Sequence, residues 1–137
     1  MAIEGMNHFT VLTSDLEKCK AFYIGVLGLT EGYRPPFPFP GAWLYSGDQA
    51  ILHIIAGRPL PAESQGIIDH MAFTASNLQL VVDKLNFYNI AFKLHRLIEQ
   101  QTWQLFCHDP DGAKVELDFA ASEPEPKLGI GRESFNK

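Results

Sequence analysis

Asn7-His8-Phe9-Thr10-Val11-Leu12-Thr13-Ser14-Asp15-Leu16-Glu17 and Asp69-His70-Met71-Ala72-Phe73-Thr74-Ala75-Ser76-Asn77-Leu78-Gln79 are two copies of one pattern. A shift of 62 residues lays His8 on His70, Ser14 on Ser76 and Leu16 on Leu78, and carries Glu17, Cys19 and Tyr23 onto Gln79, Val81 and Leu85. Each copy opens with an alternating run, which predicts a half-buried strand. Each then enters a capping box, Ser14-Asp15-Leu16-Glu17 or Ser76-Asn77-Leu78-Gln79, in which serine and the acidic or amide side chain satisfy the orphan amides of a helix start. A duplicated unit doubles every inward side chain, so two imidazoles can converge about a pseudo-twofold axis without any contiguous metal motif.

Outward from these two starts, the elements follow in the same order twice. Leu16, Cys19, Tyr23 and Val26 recur at helical spacing, Gly25 and Gly28 end the helix, and 29–34, 42–46 and 51–56 read as strands. After a loop at 57–66, residues 68–74 read as a strand, and Leu78, Val81, Leu85 and Tyr88 repeat the helical stripe. Strands at 91–97, 102–108 and 113–119 complete the second copy, with Asp109-Pro110-Asp111-Gly112 as a tight turn. The expected fold is α+β, two tandem βαβββ modules at about 6–56 and 67–120 within a single domain over 1–121. Residues 122–137 have no periodicity and read as a tail that is mobile or lies over a neighbour.

Composition narrows the partners. The 137 residues are 46% hydrophobic, enough for one core. Sixteen acidic against eleven basic residues give a net charge of -5 without a basic run, which excludes a phosphate-backbone partner. No apolar run nears the roughly 18 residues of a bilayer span, and the start lacks a signal-peptide pattern. Cys19 and Cys107 belong to no paired motif and read as reduced thiols, so a cytoplasmic protein without nucleic-acid or membrane partners is expected.

Strand alternation decides where the polar residues point. With Phe9 and Val11 on the helix side, His8 and Thr10 fall on the other face. Met71 and Phe73 leave His70 there likewise. Leu52 and Ile54 turn His53 to that face, and Val115, Leu117 and Phe119 turn Glu116 to it; a shift of 63 lays His53 on Glu116. Two neutral imidazoles and a carboxylate make a three-point nitrogen and oxygen site for iron(II), manganese, zinc or nickel. His53 is either a fourth ligand or a base beside the ion. A second unusual stretch, Arg34-Pro35-Pro36-Phe37-Pro38-Phe39-Pro40-Gly41, carries four prolines that stiffen the backbone. Phe37 and Phe39, with Trp43, Trp103 and Arg34, are the candidate substrate-binding residues, since aromatic walls suit an aromatic or apolar ligand and one arginine can neutralise one carboxylate. Arg58 offers the same charge, and Tyr33, Tyr45, His95 and His108 are further candidate acid or base groups.

The motifs in their order resemble the vicinal oxygen chelate superfamily of glyoxalases, extradiol dioxygenases, fosfomycin-resistance thiol transferases, methylmalonyl-CoA epimerases and bleomycin-binding proteins. The carriers are Asn7-His8-Phe9-Thr10-Val11, Asp15-Leu16, Phe22-Tyr23 and Leu27-Gly28-Leu29. They continue with Asp69-His70-Met71-Ala72-Phe73, Phe106-Cys107-His108-Asp109-Pro110-Asp111-Gly112 and Val115-Glu116-Leu117. The resemblance implies curved sheets that cup a divalent metal chelating two adjacent oxygens of a small-molecule substrate, and His8, His70 and Glu116 match the usual ligands. It also implies a homodimer, in which His8 and His53 of one subunit meet the other subunit's half of the site. A glyoxalase I would carry glutamate or glutamine in place of His53, and an extradiol dioxygenase is usually a longer chain with four modules. Bleomycin-binding members keep the fold without the ligands. The leading expectation is an extradiol-dioxygenase-like enzyme with His53 as its catalytic proton carrier; the alternatives are a glyoxalase-type isomerase or lyase and a non-catalytic drug-binding protein.

Overall fold

In a computed structural model, which describes residues 2–97, 99, 101–129 and 135–136, the chain divides into two units, Met1–Ala62 and Glu63–Lys137. Unit 1 runs β1 (Phe9–Thr13), α1 (Leu16–Lys20), β2 (Thr30–Glu31), β3 (Gly41–Ser46) and β4 (Gln49–Ala56). Unit 2 runs β5 (Met71–Thr74), α2 (Leu78–Phe87), β6 (Lys93–Leu97), β7 (Thr102–His108) and β8 (Lys114–Ala120), followed by a short β9 (Phe135–Asn136). The α+β class and the doubled βαβββ order are those expected from the sequence.

Each unit builds its own sheet, ordered β1-β4-β3-β2 in the first and β5-β8-β7-β6-β9 in the second. The first and last strands of each βαβββ set pair in parallel, and the remaining pairs within it are antiparallel. The registers match: Thr10 faces His53 across β1 and β4, and Ala72 faces Glu116 across β5 and β8. Thus His53 and Glu116 occupy the same rung of the same strand in the two units, and His8 and His70 each stand one residue before the opening strand.

The period of two sorts the side chains. In β4 Leu52, Ile54 and Ala56 are buried while Ile51, His53 and Ile55 are only partly covered. Leu52 and Ile54 join Ala42, Leu44 and the helical Cys19, Phe22, Tyr23 and Val26 in the core of unit 1. In unit 2 the core is Leu94, Leu105, Val115, Leu117 and Phe119 with Leu78, Val81, Val82 and Leu85 of α2. Burying each valine, leucine, isoleucine or phenylalanine of these cores contributes about 1.5–3 kcal/mol.

Five local features differ from expectation. The helix cap is Asp15, one residue past Ser14, with its carboxylate accepting from the Lys18 amide at 3.1 Å while Thr13 Oγ1 accepts from the Asp15 amide. Beyond Lys20 the helix widens into a π-helical turn over Ala21–Val26, closed by the Leu27 amide on the Phe22 carbonyl at 3.1 Å. Gly28, at φ +85°, then ends it by letting the Leu29 amide reach the Tyr23 carbonyl, whereas Gly25 lies within the turn. In unit 2, Ile67 and Ile68 are exposed and precede the strand, and Tyr88 is half exposed beyond the end of α2.

The tail differs as well. Glu123 accepts from the Asn77 and Leu78 amides at 3.0 and 2.7 Å, the cap that Ser76 was expected to supply. Lys127 and Gln79 exchange two hydrogen bonds, the Lys127 amide donating at 2.7 Å and Gln79 Nε2 donating to the Lys127 carbonyl at 3.1 Å. The described part of the tail up to Gly129 is therefore fastened to its own unit, and Pro126 is buried.

Candidate functional site

In unit 1 the open face of the sheet carries a three-ring stack. His53 in the middle of β4 lies between His8, with centroids 3.7 Å apart and planes 15° apart, and Trp43 of β3, at 3.9 Å and 10°. The stack follows from the register, since Trp43 is the direct cross-strand partner of His53. His8 Nδ1 is 2.6 Å from Asn7 Oδ1, which fixes the ring. Burial first, and the His8 charge second, pull the His53 imidazole below its ordinary pKa, so it is neutral at neutral pH. An imidazole binds a cation in its own plane; planes so nearly parallel meet many times farther away than a metal–nitrogen bond of about 2.0–2.1 Å. In this stacked arrangement His8 and His53 do not share an ion.

The proline-rich stretch forms the wall beside that stack. Phe37 and Phe39 lie parallel within 13° at 5.3 Å, and Phe37 tilts against Trp43 at 6.3 Å. The Arg34 guanidinium carbon sits 5.2 and 5.1 Å from the two phenyl centroids, and Nη2 donates to the Phe39 carbonyl at 2.8 Å. These residues, with Thr10, Ile54 and Ile55, line a cavity of about 170 Å³. The Tyr45 hydroxyl is occupied, donating to the Tyr33 carbonyl at 2.6 Å.

In unit 2 the same face carries a charged cluster. His70 Nε2 is 2.9 Å from Glu116 Oε1, and His70 Nδ1 is 2.7 Å from Asp69 Oδ2. Gln104 Nε2 donates to the other oxygen, Glu116 Oε2, at 3.0 Å. Glu116 was expected on an open face, yet it is only 7% exposed, because its partners cover it. Lys114 Nζ reaches Asp69 at 3.5 Å, and the His70 hydrogen bond, then the Lys114 charge, hold the Asp69 carboxyl below its usual value. Next along β8, Asp118 is pushed up to about 6, by burial first and then by the hydrogen bond and charge of Glu116. Phe106, the cross-strand partner of Glu116, meets the edges of His70 and His95 at 5.9 and 5.7 Å.

Trp103 does not belong to this face. It is 3% exposed on the helix side, pairs with core Phe119, and spends its indole N–H on the Glu123 carbonyl at 3.0 Å, with Arg96 over its ring at 4.5 Å. The residue that corresponds in register to Trp43 is Phe106, so the assignment of Trp103 as a substrate contact is corrected to a core residue. His108 ends β7 exposed beside Lys114. Cys19 and Cys107 are free and buried, and burial pushes the Cys107 thiol up to about 12, which leaves it inert. Gln104, Asp69 and Asp118 were not singled out from sequence. The signal for Gln104 is the alternation of β7, which puts it on the Phe106 face beside Glu116.

The donors can be tested against a divalent ion. Two ligands about 2.0–2.2 Å from an ion and at right angles stand about 3 Å apart, which is the spacing of His70 Nε2 and Glu116 Oε1. Asp69 on the far ring nitrogen and Gln104 on the far carboxylate oxygen are the outer partners that ligands of this kind require. Among the described residues no group of three or more His, Cys, Asp or Glu is placed so that it could hold a metal ion. Unit 2 contributes a fitting pair of donors, and His8 belongs to unit 1.

Fold and site together define a duplicated βαβββ protein with a paired histidine and carboxylate, His70 and Glu116, in its second unit. The chain belongs to the Glyoxalase/Bleomycin resistance protein/Dioxygenase superfamily, whose family model matches residues 5–117. It is 31% identical over 130 residues to Glyoxylase I 4 of Arabidopsis thaliana, covering 89% of this chain and 74% of the relative. In fold it is similar to a glyoxalase family protein from Bacillus anthracis, with a TM-score of 0.71 at 21% identity, covering 88% of this chain and 98% of that one. It is similar also to the fosfomycin resistance protein FosX of Listeria monocytogenes, with a TM-score of 0.69 at 18% identity, covering 86% and 94%. Among the described residues no helix is long and apolar enough to cross a membrane.

Proposed function

We propose that this protein is a divalent-metal-dependent enzyme acting on a small molecule with two adjacent oxygens, with His8, His70 and Glu116 as the ligands and His53 as the proton carrier. The observation that supports it most is the 2.9 Å pairing of His70 Nε2 with a nearly buried Glu116 whose other oxygen is already engaged. The ion, iron(II), manganese, zinc or nickel, supplies Lewis-acid polarisation of the substrate oxygens and, with iron(II), redox capacity. The chain's own residues do the remainder. Asp69 orients the His70 ring, and Gln104 fixes the plane of the Glu116 carboxylate. His53, kept neutral by burial, has a ring nitrogen able to accept a proton, and its stacking between His8 and Trp43 holds that ring against rotation.

Two reactions fit this frame. Extradiol-type ring cleavage is the first reading, supported by a His53 that stacks on His8 instead of joining it on an ion, and by the aromatic walls nearby. A glyoxalase-type isomerisation or lyase reaction is the second, supported by the 31% identical relative. The deciding experiment is anaerobic loading with iron(II), followed by oxygen uptake on catechols and, separately, hemithioacetal turnover with zinc or nickel under nitrogen. Uptake above a His70→Ala control supports the first reading. Turnover under nitrogen with no uptake overturns it in favour of the second. Small-molecule binding that survives both chelation and Glu116→Ala, with no turnover of any kind, overturns both and leaves a binding protein.

A further inference from the structure

The cavity of unit 1 has flat, mostly apolar walls and one charge. Its volume of about 170 Å³ is close to the roughly 150 Å³ that holds a benzene ring in an engineered apolar cavity. Two of its sides are stacked pairs of nearly parallel rings, Phe37 on Phe39 and Trp43 on His53. The charge is Arg34, half-buried over the phenyl faces. One of its five N–H donors goes to the Phe39 carbonyl, and among the described residues no carboxylate lies within ion-pair distance of it. A neutral ring entering the cavity would strip water from this guanidinium and return at most a cation–π contact. A carboxylate would replace that water with charge-assisted hydrogen bonds, and the planar fork of arginine suits it.

We propose that this cavity binds a small aromatic carboxylate, its ring against the Phe37, Phe39 and Trp43 faces and its carboxylate on the remaining N–H groups of Arg34. That the ligand is the substrate rests on the metal-enzyme reading; the binding itself does not. The nearness of Trp43 supplies the signal.

The experiment titrates benzoate, benzamide and acetate into the full chain stripped of metal with a chelator, followed by tryptophan fluorescence and calorimetry. Benzoate is expected to bind saturably and about tenfold or more tighter than either comparison, since one lacks the charge and the other the ring. Arg34→Met is expected to lower benzoate affinity by about tenfold and to leave benzamide unchanged. Because Arg34 also ties the loop to Phe39, Phe37→Ala serves as the second variant; it keeps the charge and removes one wall, so benzoate weakens several-fold while acetate does not move. Equal binding of benzoate and benzamide, or benzoate binding unchanged in both variants, overturns the proposal. A protein that binds benzoate but takes up no zinc or cobalt keeps the cavity and loses the enzyme; one that takes up metal but no benzoate loses the cavity alone.

Discussion

Glu116 is held at both oxygens, by His70 on one side and Gln104 on the other. Replacing Gln104 by leucine leaves Oε2 without its donor and lets the carboxylate rotate, so zinc or cobalt affinity is expected to fall about 10–100-fold in a titration. Far-UV circular dichroism should be unchanged, and glutamine restored at 104 should recover the affinity. Asp118 gives a pH-dependent outcome. Its carboxyl titrates near 6 in the folded chain against an ordinary value near 3.8, so the folded state binds more protons in that window and stability falls as pH rises through it. Above pH 6 its charge is therefore a cost. Asp118→Asn is expected to raise the melting temperature at pH 7–8 by roughly 2–4 °C, the effect of about 1 kcal/mol in a chain of this size, and to add little near pH 4. His53 works in the opposite sense, losing stability on acidification below its ordinary value, so the difference between wild type and the variant is the quantity to read. Residues such as His53 and Glu116 were legible because alternation is a local code. Gln104 was not singled out although the same alternation carries it, and Trp103 was misplaced by matching it to Trp43 across the repeat instead of following β7, where it alternates with Leu105 and Cys107 on the buried side.

At the scale of elements, α2 takes its cap from a residue about 45 positions downstream. Asn77 adopts a left-handed conformation, φ +66°, in which its own side chain makes no cap, and the Glu123 carboxylate fills the position. Glu123→Ala is expected to cost about 1 kcal/mol, with Glu123→Gln intermediate, in denaturant unfolding monitored by fluorescence. Ser76 looked like the cap because a capping box is a short-range pattern, and a competing acceptor folded back from the tail has no signature in it. The π-helical turn at Ala21–Val26 was equally invisible, since the apolar spacing of Tyr23 and Val26 fits α- and π-helical turns over so short a run. Strand β3 offers a second outcome. A Cβ at Gly41 would press on the Ile54 carbonyl and the Arg34 guanidinium, 2.9 Å away, so Gly41→Ala is expected to destabilise the chain by about 1–3 kcal/mol in the same assay and to disturb the loop that Arg34 ties.

At the scale of the whole molecule, the three ligands proposed above are divided, with His8 in one unit and His70 and Glu116 in the other. A symmetric dimer in which each site draws on both chains makes a definite expectation. Mixing His8→Ala with Glu116→Gln chains should restore metal uptake, since each heterodimer then holds one intact site. Uptake that stays absent in the mixture, with monomers in sedimentation, assigns every ligand to one chain. The repeat itself was legible at this scale, through the spacing of His8 from His70 and of His53 from Glu116, and it appears as the equivalent rungs Thr10 with His53 and Ala72 with Glu116. Because every strand pairing among the described residues lies within one unit, a polypeptide cut anywhere between Gly57 and Gly66 severs none of those ladders. Each half, expressed separately, is thus expected to keep the strand ladder of its own sheet.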